Sequence, residues 1–299
     1  MSGGCLTAMS LRAPEKKIGV VGAGLMGAEI ALTFAMAGMD VLLNDRDPAA
    51  LEAALARLRA LLERGVSRGF YTETQRDSAL AHLRPEPDLA GFADRDLVTE
   101  AVFESLEVKR EVLAALDKVC RDTCVIASNT STIPISTLSA ALPADRRSRF
   151  LGTHYFSPVS RMRLVEVIPA FTTDPQIVAW TTSLLVEAGK QPIAVKDVAG
   201  FAVNRMLHAM LIEAVRLVEE GVATPEDLDT ACRLGLGHPI GPFALMDNVT
   251  SSLCLQVQEI LQDAYGERFR PPALLKQRVA AGRSGGRGKP GWLSEGSEA

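Results

Sequence analysis

Ile18-Gly19-Val20-Val21-Gly22-Ala23-Gly24-Leu25-Met26-Gly27 is the stretch on which the fold turns. A short β-branched run bounded by glycine reads as a buried strand, and Leu25 onward reads as a helix. Between them Gly22, Gly24 and Gly27 fit G-x-G-x-x-G, with Leu25 and Met26 in the variable places. Glycines there permit a tight turn, close approach of backbone to a pyrophosphate, and close helix–strand packing. The helix start offers free N–H groups and the positive end of its dipole to the phosphates. Glycine turns are common, so the motif is weak alone. Context strengthens it: the next apolar run, Val41-Leu42-Leu43, leads to Asp45, at the spacing where a carboxylate accepts the adenosine ribose hydroxyls. Asp45 would repel a 2′-phosphate, so the expected cofactor is NAD rather than NADP.

The same alternation continues outward. Asp47-Pro48 supplies a cap and a first-turn proline, and Leu51, Leu55, Leu58 and Leu62 line one face of a long helix. Thr72 and Gln75 form a capping box. Further strands are expected at Leu97-Val98, Val125–Ala127, Phe150-Leu151, Leu164–Ile168 and Pro192–Val195, with a helix over about 175–188. Strands alternating with helices predict an α/β fold with a parallel, doubly wound Rossmann-type sheet. From Asp197 the pattern changes to helices alone: 201–220, 225–233, a single helix over 243–265, and 273–280. The expected division is a flexible tail over 1–16, a nucleotide-binding domain over 17–197 and an all-helical domain over 198–299.

Composition closes off other classes. In 299 residues, 36 acids against 32 bases give a net charge of −4, the wrong sign for a nucleic-acid-binding chain. Five cysteines without a C-x-x-C pair argue against a disulfide framework or a metal site and for a reducing, cytoplasmic setting. No apolar run approaches a membrane span, and the N-terminus lacks a secretory pattern.

For chemistry, His154 in Gly-Thr-His-Tyr-Phe-Ser-Pro ends a strand, where ligands of such sheets bind. Imidazole titrates near working pH, which makes it the natural general base. His82 and His208 fall in helices and are most simply structural, and His238 lies in a glycine-rich stretch that reads as a loop. Glu166 lies in an apolar strand, where an acid needs a partner; an outward-facing edge glutamate is the plainer alternative. Ser128-Asn129-Thr130-Ser131 follows a strand and is, by itself, most simply a turn. Arg57, Arg64 and Arg68 share a helix face that is more simply solvated than ligand-binding.

Several stretches together resemble the short-chain L-3-hydroxyacyl-CoA dehydrogenase family from Lys17 to Trp292: GVVGAGLMGAEIA, TEAVFESLEVKREVLAAL, ASNTSTIPI, GTHYFSPVSRMRLVEVI, KDVAGFAVNRM and GVATPEDLDTACRLGLGHPIGPFALMD. The resemblance implies reversible oxidation of an L-3-hydroxyacyl thioester by NAD. It makes His154 the base, Glu166 its orienting carboxylate, and Ser128 and Asn204 the polar groups around the reacting oxygen and acyl carbonyl. It sets Glu104 and Lys109, with Ser128, beside the nicotinamide half of the cofactor. It further implies an acyl-CoA substrate and a homodimer formed through the helical domain. The same chemistry on an acyl carrier protein, or a non-catalytic structural role, are the alternatives. The chain departs from the family pattern at Ser157, at Ser160-Arg161-Met162-Arg163, at Thr250-Ser251-Ser252 and at Gly285–Trp292.

Overall fold

The structure is a computed structural model that describes residues 16–293; the tail expected over 1–16 lies, Lys16 aside, outside the described residues. It divides into two compact units, the first ending at Asp197 and the second beginning at Val198.

In the first unit β1 (Lys17–Val21) leads into α1 (Leu25–Met36), then β2 (Asp40–Asn44), α2 (Pro48–Ser67), α3 (Glu73–His82) and β3 (Leu83–Pro85). The caps follow the sequence: the Asp47 carboxylate accepts from Ala49 N–H, and both bonds of the Thr72–Gln75 box are made. Next come β4 (Leu97–Glu100), α4 (Leu106–Val119), β5 (Val125–Ser128), the short α5 (Ile135–Ser139) and α6 (Ala144–Arg147), and β6 (Phe150–Tyr155). β7 (Leu164–Pro169), α7 (Pro175–Glu187) and β8 (Gln191–Ala194) complete it. The sheet order is β3-β2-β1-β4-β5-β6-β7-β8. Order reverses between β1 and β4, so the loops after these strands form the crevice where doubly wound sheets take their ligands. α1 is buried on nearly all sides, which its apolar composition requires.

One pairing departs from the expected parallel sheet. β6 and β7 run antiparallel. Only residues 156–163 connect them, and a parallel crossover needs a dozen or more. β3 was not expected at all; it is three residues long and carries a proline.

The second unit is helical: α8 (Val203–Glu219), α9 (Pro225–Gly235), α10 (Pro242–Val249), α11 (Ser251–Tyr265) and α12 (Ala273–Ala280). The single helix expected over 243–265 is two. Thr250 stands between them at φ 79°, a left-handed backbone that ends α10, and its hydroxyl caps α11 at Leu253 N–H. The core gathers Leu211, Val215, Phe243, Met246, Leu275 and Trp292.

Candidate active site

The glycine turn is shaped to admit a pyrophosphate. Gly22 takes φ 102°, and a Cβ on Gly27 would lie 1.9 Å from the Gly22 carbonyl oxygen, so neither position tolerates a side chain. Gly24, by contrast, opens onto free space, and α1 begins there with no side-chain cap, leaving Leu25 and Met26 at an unblocked helix start. Asp45 follows β2, half-buried, and accepts from Ala23 N–H at 2.7 Å and Asp47 N–H at 3.0 Å. An ionised carboxylate has lone pairs left for ribose hydroxyls. The cradle and acidic partner therefore fit NAD. Arg57 is not merely solvated: its guanidinium donates to the Ala23 carbonyl at 3.0 Å and braces the turn.

The antiparallel β6–β7 pair sets His154 directly opposite Glu166. Glu166 is 0% exposed and His154 4%, and Nδ1 meets Glu166 Oε2 at 2.8 Å. Glu166 is thus no edge residue, since β8 covers β7. A carboxylate only accepts, so Nδ1 carries the hydrogen of the neutral ring and Nε2 keeps a lone pair. Phe156 sits edge-on to the imidazole at 4.6 Å between ring centres. Nε2 meets the hydroxyl of Ser131 at 2.9 Å.

Ser128 makes a different contact. Ser128 pairs with Glu100 across β5 and β4, and its buried hydroxyl donates to Glu100 Oε2 at 2.6 Å. The turn after it brings Ser131 to β6, so Ser131 is the hydroxyl that meets His154 Nε2. The four-residue stretch is more than a turn. Asn129 Oδ1 accepts from Tyr155 N–H at 2.9 Å, fixing the end of β6, and Thr130 donates to Glu104 at 2.6 Å. Burial works against ionisation of Glu104, but the Lys109 ammonium and the Thr130 and Thr132 donors prevail and hold its carboxyl below the usual range. Lys109 is 1% exposed and meets Glu100 Oε1 at 2.8 Å and Glu104 Oε2 at 3.3 Å. Ser131 and Glu100 were missed by sequence reasoning. A second serine three residues on, and a second acid four residues before Glu104, were the available signals.

Asn204 is the second residue of α8, in the helical unit, and is half-buried. In that unit the two departures from the family pattern are bonded to each other. Trp292 Nε1 donates to Ser251 Oγ at 2.9 Å, and Ser251 N–H to the Ser284 carbonyl at 2.7 Å. Asp247 accepts from Trp292 N–H at 2.7 Å and Leu293 N–H at 3.0 Å, clamping the glycine-rich end. Among the described residues no cluster of His, Cys, Asp or Glu could hold a metal ion, and no helix is long and apolar enough to cross a membrane.

A glycine cradle with an acidic residue after the next strand, together with a buried histidine–carboxylate pair in the same sheet, fits an NAD-dependent oxidoreductase. Residues 17–198 match the 3-hydroxyacyl-CoA dehydrogenase NAD binding domain and residues 200–295 its C-terminal domain, and the chain belongs to that family. Among solved structures it is 40% identical to FadB2 of M. tuberculosis, with a TM-score of 0.89 over 94% of this chain and 99% of that one. The (S)-3-hydroxybutyryl-CoA dehydrogenase PaaH1 from Ralstonia eutropha is 36% identical, with a TM-score of 0.89 over 94% of this chain and all (100%) of that one. The 3-hydroxybutyryl-CoA dehydrogenase from Escherichia coli K12 is 35% identical, with a TM-score of 0.89 over 96% of this chain and 61% of that one.

Proposed function

We propose that this chain interconverts (3S)-3-hydroxyacyl-CoA and 3-ketoacyl-CoA thioesters of short acyl chain, 3-hydroxybutyryl-CoA being the type substrate. The observation that carries the reading is the buried His154–Glu166 pair with Nε2 turned to a hydroxyl. Bound NAD supplies a hydride acceptor in the oxidative direction. His154 Nε2 takes the C3 hydroxyl proton while the C3 hydrogen departs with its electron pair, and the carbonyl forms. Glu166 holds the ring and stabilises the imidazolium that results, as an acid does beside other catalytic histidines. Ser131, in place of Ser128, hydrogen-bonds the reacting oxygen, and Asn204 takes the acyl carbonyl. Glu104 lines the nicotinamide half. The two relatives named for 3-hydroxybutyryl-CoA, at 36% and 35% identity, support the short acyl chain. Homodimerisation through the helical unit is part of the same reading, supported by Met206, Leu234 and Leu236, which stand 67%, 81% and 67% exposed there.

The deciding experiment is NADH oxidation by purified protein with acetoacetyl-CoA beside a panel of carrier-linked 3-ketoacyl thioesters. Turnover of acetoacetyl-CoA with kcat/KM above every carrier-linked substrate supports the reading. Preference for the carrier-linked panel assigns the substrate to an acyl carrier protein, and turnover of neither refutes the activity.

A further inference from the structure

Glu100 ends β4 fully buried, at 0% exposure, and no step of the proposed reaction uses it. A buried carboxylate costs several kcal/mol unless it is paired and hydrogen-bonded. Glu100 is both. Oε1 accepts from Lys109 Nζ at 2.8 Å and Val102 N–H at 2.7 Å, and Oε2 accepts from Ser128 Oγ at 2.6 Å.

Lys109 reaches this place from the first turn of α4 and is fully engaged. Its ammonium has three donors, and three acceptors stand around it: Glu100 Oε1 at 2.8 Å, the Val102 carbonyl at 3.3 Å and Glu104 Oε2 at 3.3 Å. The resemblance would give Lys109 to the cofactor, yet none of its donors is left for a ligand. Its influence on the site must pass through Glu104. The other oxygen of Glu104 collects four donors from one short segment: Thr130 Oγ1 at 2.6 Å, then Ser131 N–H, Thr132 N–H and Thr132 Oγ1, each at 2.9 Å. That grip fixes the backbone of Ser131, whose hydroxyl lies 2.9 Å from His154 Nε2.

We propose that the buried Glu100–Lys109 pair is a positioning device for the base: it fixes Glu104, Glu104 fixes residues 130–132, and Ser131 is thereby held on Nε2 of His154. The assignment rests on the proposed role of His154. Lys109 sits between two carboxylates, so the charge of Glu100 decides where the ammonium rests and hence how firmly Glu104 is held. A buried ion pair is poor evidence for stability, since matched neutral groups often replace one without loss. Its value here is geometric.

The test is a double-mutant cycle of Glu100→Gln and Ser131→Ala, with rates normalised to the folded fraction. Glu100→Gln keeps the shape and removes the charge. It should lower kcat roughly tenfold, within the range a misplaced reacting group produces, with KM for NADH changed by less than about twofold. In the Ser131→Ala background the same change should cost little more, because the two act as one unit. Losses that multiply, or a Ser131→Ala enzyme with unchanged kcat, overturn the proposal. A second readout needs no turnover. Ring ¹⁵N resonances of His154 in the free protein, assigned by their loss in His154→Ala, should move at Nε2 in Glu100→Gln and not in a His82→Gln control. An unmoved Nε2 signal overturns the relay even if the variant is slow. A wild type that fails to turn over acetoacetyl-CoA but shows the Nε2 shift would instead keep the relay and refute the substrate reading.

Discussion

His154 at the end of β6 and His208 in the middle of α8 are 4% and 5% exposed, and their surroundings are opposites. His154 has a carboxylate on one ring nitrogen and a hydroxyl on the other. His208 has no hydrogen-bond partner for Nδ1 among the described residues, and burial alone pushes its pKa down to about 4. Equal burial therefore yields two different groups. One has a hydrogen-bond partner on each ring nitrogen; the other is kept neutral by burial. The count of buried polar groups says little about a site. What faces each ring atom says nearly everything.

The largest effect expected from this contrast is on turnover. His154→Ala should lower kcat by about 10²–10⁴-fold, the usual contribution of a general base, with NADH affinity nearly unchanged. Stopped-flow NADH oxidation and fluorescence titration separate the two quantities, and a variant with near wild-type kcat would erase the distinction between the histidines. Glu166→Gln should cost less, because the base survives with poorer orientation. Its combination with His154→Ala should be little worse than His154→Ala alone. Multiplying losses would mean that Glu166 acts apart from the ring.

The buried, neutral His208 should show itself in stability instead. Above pH 6.5 His208 is neutral in both states and changes nothing. As pH falls from 6.5 towards 4 the unfolded chain binds a proton that the folded chain refuses, so the fold loses stability through that window and the loss levels off below it. The full difference is about 3 kcal/mol. His208→Leu should flatten this limb of a Tm-against-pH curve; parallel curves for both proteins would show that His208 is not the group responsible. The smallest effect concerns Asp45, a carboxylate beside solvent rather than inside the fold. Asp45→Ala should narrow the preference for NAD over NADP, read as kcat/KM with each cofactor, by relieving repulsion of the 2′-phosphate. A wild type that works better with NADPH would make Arg46 the reader of that phosphate.

Much of this was legible in the sequence because strong local signals agreed with the global fold. The strand–glycine–helix unit, the Asp47 and Thr72 caps and the Asp45 spacing all fall where local rules put them. The misses arose where pairing between elements or the local backbone angle, not residue type, decided the outcome. β3 is a three-residue edge strand whose pairing with β2 creates it. Thr250 breaks a helix at φ 79° in a run that is otherwise helical. Ser131, not Ser128, meets His154 Nε2 because the direction of a side chain after a strand depends on the turn, not on the order of residues. Glu100 looked like one more acid at a strand end until Lys109 came to it from α4.

The short β6–β7 connection also bears on how the protein reaches its working form. His154 and Glu166 lie twelve residues apart, on two strands of one antiparallel pair. Such local contacts close early and at small entropic cost. Side chains alternate faces along a strand, so a slip of one residue in this pairing would send Glu166 to the opposite side of the sheet. The hairpin thus acts as a check on assembly: a molecule zipped in the wrong frame has no dyad, and a molecule with the dyad has its frame.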